Sequence, residues 1–324
     1  MPRVFLLGAL ACGISAGSAW AEDHKRPPRD EELAVPSVTL TDTQFLRIDP
    51  AAGTPVVLSA TLRLPNWDAR LPAVVLLHGS DGVTSGAVAN WRGILDKLGV
   101  ATLRLDSFTA RGITDVETDQ SQLGFYNQVY DAHRAVEVLA ADGRIDPDRI
   151  VLMGFSRGGT AALYAAMVRF QSAYRPTRGE IAAYLPFYPS CGVQLDTEDT
   201  VVDAPIRVFH GAADDWVPIT PCENYIARLR AEGHDATLTE YSGVRHAFDN
   251  PGATAGFVVE DAPTARTCAR AERCGVIVNL GTGEPFSFSD ACVEYGPSVG
   301  YDERAAKNAA EKVGAILRQV FAPL

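Results

Sequence analysis

Residues 150–159 read Ile150-Val151-Leu152-Met153-Gly154-Phe155-Ser156-Arg157-Gly158-Gly159, and the small residues Ala161, Ala162, Ala165 and Ala166 follow. The apolar run 150–153 predicts a strand covered on both faces, and the alanine-rich stretch 158–170 predicts a helix packed close behind it. A serine at such a strand-to-helix turn occupies a strained bend, which glycines two positions to either side allow to close because they bring no Cβ into it. The pattern G-x-S-x-G in this setting is a nucleophile elbow and makes Ser156 the candidate nucleophile. The competing reading is a glycine-rich turn that merely joins two elements; the strand before and the helix after weigh against it.

Outward from the elbow the same beat recurs. On the N-terminal side come an apolar strand at 73–77, a helix at 88–98, a strand at 100–105 and a helix at 125–141. On the C-terminal side, strands at 181–187, 206–209 and 236–241 enclose a helix at 222–232, and an amphipathic helix at 305–321 closes the chain. Parallel strands require such crossovers, so the expected fold is α/β, with a mostly parallel sheet and helices on both faces. Segments 38–48 and 56–64 alternate apolar with polar residues and predict an antiparallel pair in front of it. Residues 250–300, rich in glycine and proline, predict an irregular loop within a single domain spanning 37–324.

A serine hydroxyl needs a base within hydrogen-bond reach and a carboxylate to orient that base. The strand at 206–209 runs into Gly211-Ala212-Ala213-Asp214-Asp215-Trp216, which places Asp214 where an acid-bearing turn belongs; Asp215 is the alternative acid, or a helix cap. His246 follows the strand at 236–241 and is the only histidine after that strand. His24, His133, His210 and His234 lie too early or inside other elements and read as structural or exposed. The turn His78-Gly79-Ser80-Asp81-Gly82 ends the strand at 73–77, so the backbone amides of Ser80 and Arg157 are the candidate donors to a developing oxyanion.

The N-terminus has its own signature. Arg3, an apolar stretch 4–14 and Ala19-Trp20-Ala21 match a signal peptide over 1–21, and about 11 apolar residues are too few to cross a bilayer. Lipidation at Cys12 is the weaker alternative, because it leaves an unusually short apolar region. Charged, proline-containing residues 22–36 predict a flexible leader, and export to the periplasm is the expected localisation. The formal net charge of −11 without a basic patch argues against nucleic acid or anionic membrane as partner. Nothing in the sequence calls for a metal, a cofactor or an obligate protein partner. Five cysteines remain after residue 21, none in a C-x-x-C pair, which favours disulfides over a zinc site.

Taken together, His78-Gly79, Asp106-Ser107-Phe108 with Arg111-Gly112, Ile145-Asp146-Pro147, the elbow, His210-Gly211 through Pro218, and Tyr241 through Phe248 resemble the dienelactone hydrolase family. The resemblance runs from about residue 55 to the last helix. It implies an α/β-hydrolase fold with no large cap domain, acting on small esters or lactones through Ser156, Asp214 and His246. That family carries a cysteine at the elbow where this chain has Ser156, so ester cleavage carries over but dienelactone as substrate does not. A peptidase or a carbohydrate esterase on the same fold is the alternative enzyme, and a non-catalytic binding protein the alternative of another class. Asp81, Phe108, Arg111 and Trp216 are candidates for substrate contact, Arg111 either binding a carboxylate or pinning its own loop. Cys191 and Cys222 follow elements on one rim of the sheet and are expected to pair; Cys274 with Cys292 is expected to close the long loop, with Cys268 spare or joined to Cys274.

Overall fold

The computed structural model describes residues 28–65 and 70–322. The expected signal peptide and the start of the leader lie outside them. Eight strands form the main sheet: β1 (Arg29–Thr39), β2 (Thr54–Leu64), β3 (Leu71–Leu77), β4 (Ala101–Asp106), β5 (Ile145–Phe155), β6 (Ile181–Phe187), β7 (Ile206–Gly211) and β8 (Ala236–Tyr241). Their order is β1-β2-β4-β3-β5-β6-β7-β8, with β1, β2 and β4 joined antiparallel and every later pairing parallel.

The apolar strands behave as their composition requires. Along β3, Ala73, Val75 and Leu77 enter the core on one face, while Val74 and Leu76 enter the core on the other, all essentially without solvent contact. A strand buried on both sides gains by being apolar throughout. Helices α3 (Asn127–Ala141), α4 (Arg157–Tyr164) and α6 (Thr220–Ala231) cover the first face; α2 (Gly86–Lys97) and α7 (Glu303–Val320) cover the second. Helix α7 starts on a side-chain cap, the Asp302 carboxylate accepting from Ala305 N, and buries Ala305, Ala309, Val313 and Leu317 along one stripe.

Several expectations are revised. Residues 29–36, read as leader, form most of β1 and pair with β2 from Arg29↔Leu64 to Thr39↔Thr54. Strand character ends at Thr39 rather than 48, because Thr41 and Gln44 form a reciprocal capping box that opens α1 (Asp42–Leu46). The helix expected over 158–170 is broken into α4 and α5 (Val168–Tyr174). The break falls where Met167 bridges Val201, Val168 N donates to Thr200 O and Val202 N donates to Ala166 O, taking the helical backbone out of its own ladder.

The stretch 250–300 is more ordered than its composition suggests. It folds into short antiparallel pairs, Phe257–Val258 with Ser298–Val299, Pro263–Thr264 with Glu294–Tyr295, and Arg270–Arg273 with Val276–Asn279, the last extended by a parallel pairing to Val193–Gln194. A disulfide joins Cys191 to Cys222, and a second joins Cys268 to Cys292. The expected Cys274–Cys292 link is therefore incorrect. Pairing of Thr264 with Glu294 carries the flanking Cys268 and Cys292 to a Cα separation of 5.2 Å, whereas Cys274 sits exposed at the hairpin turn between Arg273 and Val276. No described helix is long and apolar enough to cross a membrane.

Candidate active site

Ser156 adopts φ 52° and ψ −114°, a backbone conformation that costs about 1–3 kcal/mol for a residue with a Cβ. The neighbouring glycines are what the bend demands. A Cβ on Gly154 would lie 2.0 Å from Gly158 O, and one on Gly158 would lie 2.2 Å from Leu77 O. The bend is further held by Ser156 N donating to Phe187 O at 3.0 Å. The side chain thereby projects beyond the C-terminal ends of the parallel strands, where ligands bind in sheets of this kind.

His246 reaches it from the loop after β8. Its Nε2 is 3.0 Å from Ser156 Oγ and its Nδ1 is 2.7 Å from Asp214 Oδ2. Asp214 is itself oriented, because its Oδ1 accepts from Trp216 N at 3.0 Å and Val217 N at 2.8 Å. With one oxygen committed to two amides, the other is aimed at the imidazole. The carboxylate partner then favours the proton on Nδ1, which leaves the Nε2 lone pair facing the serine hydroxyl. Asp215, the other acid the sequence left open, turns the opposite way and accepts from Ser298 N and Oγ, both at 2.8 Å, tying down the 250–300 segment. The imidazole lies between the Tyr188 ring, 4.6 Å centroid to centroid, and the Trp216 ring at 5.2 Å. Tyr188, with φ 36°, and Ala247, with φ 56°, add two more strained residues beside the serine.

The loop after β3 is placed by a buried histidine. His78 Nδ1 donates to Gly79 O at 2.8 Å and its Nε2 accepts from Ser107 N at 3.1 Å, linking the turns that follow β3 and β4. Burial pushes the His78 pKa down and holds the ring neutral, as this pattern of one donor and one acceptor requires. Ser80 Oγ and Arg157 Nη1 both engage the side chain of Gln120: Gln120 Nε2 donates to Ser80 Oγ at 2.9 Å, and Arg157 Nη1 donates to Gln120 Oε1 at 3.0 Å. Arg157 Nη2 donates to Leu123 O and Gly124 O, so its hydrogen bonds go to carbonyls and Gln120 rather than to a carboxylate, and burial lowers its pKa to about 10. Among the described residues, neither the Ser80 amide nor the Arg157 amide has a backbone acceptor. Sequence reading missed Gln120, which lies in a short turn 36 residues before Ser156 and resembles any surface glutamine in a string of letters.

Two cavities meet at Ser156, and both include Ser80 and Trp216 in their walls. One, of about 370 Å³, is bounded by Phe125, Arg157, Pro218, Arg266, Arg270 and Phe288. The other, of about 330 Å³, contains His246 and is bounded by Asp81, Glu117, Tyr188, Phe257 and Val259. Burial raises the pKa of Asp81, and burial reinforced by the Asp81 charge raises that of Glu117. Behind this second cavity Asp249 is fully buried, accepts from Tyr188 Oη at 2.6 Å and from Trp91 Nε1 at 2.5 Å, and has its pKa pushed up to about 6 by burial.

Of the four residues expected to touch substrate, Asp81 and Trp216 border the cavities and two do not. Phe108 is buried edge-on against His78 at 4.3 Å. Arg111 is almost wholly buried, with Nη1 donating to Asp131 Oδ2 at 2.7 Å, Nη2 to Asp131 Oδ1 at 2.9 Å and Nε to Thr39 Oγ1 at 2.9 Å. It pins its loop to β1 and α3 and has no donor free for a ligand carboxylate. The physical reason is Asp131, an acid one helix away that composition and motif could not place beside it.

A family model described as the dienelactone hydrolase family matches residues 58–321. A solved structure from Klebsiella pneumoniae subsp. pneumoniae that carries the dienelactone hydrolase name is 18% identical, covers 91% of this chain and 100% of that one, and superposes with a TM-score of 0.61. Thermogutta terrifontis esterase 2 is 17% identical, with 82% and 92% of the two chains covered and a TM-score of 0.53. Acyl-protein thioesterase 1 of Gibberella zeae is 33% identical over 110 residues, a match spanning 32% of this chain and 44% of that relative.

Proposed function

Because the chain belongs to the dienelactone hydrolase family, we propose that it is an exported serine hydrolase that cleaves small carboxylic esters or lactones through an acyl-enzyme. The observation that carries the proposal is His246, which spans Ser156 Oγ at 3.0 Å and Asp214 Oδ2 at 2.7 Å. As the Ser156 oxygen attacks the ester carbonyl, its proton passes to His246 Nε2, and Asp214 stabilises the imidazolium that results. The charge that develops on the carbonyl oxygen is received by the Ser80 and Arg157 amides, which the Gln120 bridge and the His78 clasp keep in register. Collapse breaks the bond to the alcohol, whose oxygen takes the proton from His246 Nε2. Water then enters, loses its proton to the same nitrogen, and attacks the acyl carbon; the carboxylic acid leaves and Ser156 regains its hydrogen.

The two disulfides suit an oxidising compartment, in keeping with export. The direct test is a fluorophosphonate probe with 4-nitrophenyl hexanoate turnover. Native protein is expected to be labelled and to turn over the ester, and Ser156→Ala to do neither. Labelling that survives Ser156→Ala, or turnover that does, removes the proposal.

A further inference from the structure

We propose that the two cavities flanking Ser156 sort an ester by charge, Arg270 binding an anionic group on the acyl half while the acidic cavity takes a neutral or cationic alcohol. This rests on the esterase reading above and specifies its substrate class.

The starting observation is a guanidinium without a partner. Among the described residues, Arg111 is paired with Asp131, Arg169 with Glu272, and Arg157 is spread over carbonyls and Gln120. Arg270 borders the same cavity as Ser156, yet no described carboxylate or carbonyl accepts a hydrogen bond from it, and its Nε is buried with no acceptor at all. The group lies over the Phe286 ring at 4.9 Å and against Gly192, where a Cβ would stand 3.5 Å from Nη2. Its strand pairs with Val193–Gln194 on one side and Val276–Asn279 on the other, so the side chain springs from a fixed backbone. A buried cation left uncompensated is unfavourable, and a ligand anion supplies the missing partner.

The rest of the lining agrees. The cavity that holds Arg270 also has Arg157 and Arg266 in its wall, the latter ion-paired with Glu294, and no carboxylate, whereas the cavity that holds His246 has Asp81 and Glu117 and neither lysine nor arginine. The chemistry then assigns the halves. The departing alcohol oxygen must receive its proton from His246 Nε2, so the alcohol lies in the acidic cavity. With the oxyanion at the Ser80 and Arg157 amides, the remaining substituent, the acyl chain, extends into the arginine cavity. Half-esters of dicarboxylic acids, with the free carboxylate at the far end of the acyl chain, fit both charges.

The test compares 4-nitrophenyl adipate monoester with 4-nitrophenyl hexanoate, which differ in a terminal carboxylate for a methyl, using the mature protein with active sites titrated by the fluorophosphonate probe. Native kcat/KM is expected to favour the adipate by about tenfold or more, the scale of a charge-assisted hydrogen bond in a desolvated site. In Arg270→Gln the ratio should fall to about one or below, and Arg270→Lys should retain part of it; a ratio is immune to losses of folded protein common to both substrates. Hexanoate esters of 3-hydroxyphenyltrimethylammonium and of 3-hydroxybenzoate report on the other half, and the cationic phenol should be preferred. Hexanoate turnover with a native ratio near one, a ratio that survives Arg270→Gln, or equal acceptance of the benzoate ester overturns the charge assignment alone. Absence of both hexanoate turnover and probe labelling overturns the esterase reading, and this inference with it.

Discussion

Replacing Asp214 by asparagine should disable His246 without moving it, and the expected loss follows from three distances. The Oδ1 position accepts from the amides of Trp216 and Val217 at 3.0 and 2.8 Å, while Oδ2 faces His246 Nδ1 at 2.7 Å. An asparagine keeps its carbonyl on the two amides, because turning it over would set an NH2 against two donors and forfeit two hydrogen bonds, about 2–3 kcal/mol in all. The NH2 therefore faces Nδ1, which must now accept. The ring is driven to the tautomer with hydrogen on Nε2, which cannot take the Ser156 proton. Loss of the anion opposite the forming imidazolium adds about 2–3 kcal/mol, the worth of a hydrogen bond to a charged group. The sum, about 5 kcal/mol, corresponds to a fall in kcat of about 10³ to 10⁴. The assay is steady-state hydrolysis of 4-nitrophenyl hexanoate, with circular dichroism to verify that the variant is folded and Asp215→Asn as the comparison. Asp215→Asn should stay within about threefold of native, because Asp215 contacts Ser298 rather than the imidazole. If Asp214→Asn stays within tenfold of native while Asp215→Asn loses a thousandfold, the orientation argument is wrong and the acid has been misidentified.

Three further outcomes are expected. Gln120→Ala removes the bridge between Ser80 and Arg157 and should lower kcat about tenfold with KM within about twofold, since on the proposed mechanism the bridge positions oxyanion donors rather than ground-state contacts; a change confined to KM would contradict it. Arg111→Ala leaves Asp131 as a buried charge supported, among the described residues, by Ser37 and Asn127, and should cost about 3–5 kcal/mol of stability in urea melts, while the fraction that folds keeps the native KM; a KM that rises selectively for anionic esters would return Arg111 to the binding site. Asp249 is raised to about 6 from an ordinary 3.8, so the folded state holds a proton that the unfolded state has released. Its contribution to stability is full below pH 4 and declines as pH rises from about 4 to about 6, by about 3 kcal/mol in all. The pH slope of unfolding free energy across that window should therefore be less negative in Asp249→Asn than in native protein, and parallel slopes would show that Asp249 is not the group responsible.

Much of the architecture was legible in the sequence because the signals were local. A strand buried on both faces has to be apolar at every position, as 73–77 and 150–153 are, and a serine at a sharp strand-to-helix turn has to be flanked by residues that lack a Cβ. The candidate order of Ser156, then an acid turn, then His246 follows from the succession of strands, because each loop after a parallel strand emerges on the same side of the sheet. Boundaries were less legible: the end of β1 is set by the Thr41–Gln44 capping box, and the break between α4 and α5 by pairing with residues 200–202, a contact made across a distance in sequence.

What only the tertiary structure decided are matters of which side chain meets which. Asp214 and Asp215 are adjacent letters with equal chemistry, and they separate only because amides of the same turn hold Asp214 toward His246 while Ser298, 83 residues on, takes Asp215. Arg111 and Arg270 are equally plausible anion binders as letters. One is consumed by Asp131 and the other is left facing the cavity at Ser156, because the identity of a charge is local but its neutralisation is not. The cysteines follow the same logic, since it is the pairing of Thr264 with Glu294 that brings Cys268 to Cys292 and leaves Cys274 at the tip of a hairpin. Periodicity and turn chemistry act between neighbours along the chain and can be read there; the partner of a buried charge or thiol is chosen by the packing of elements far apart in sequence.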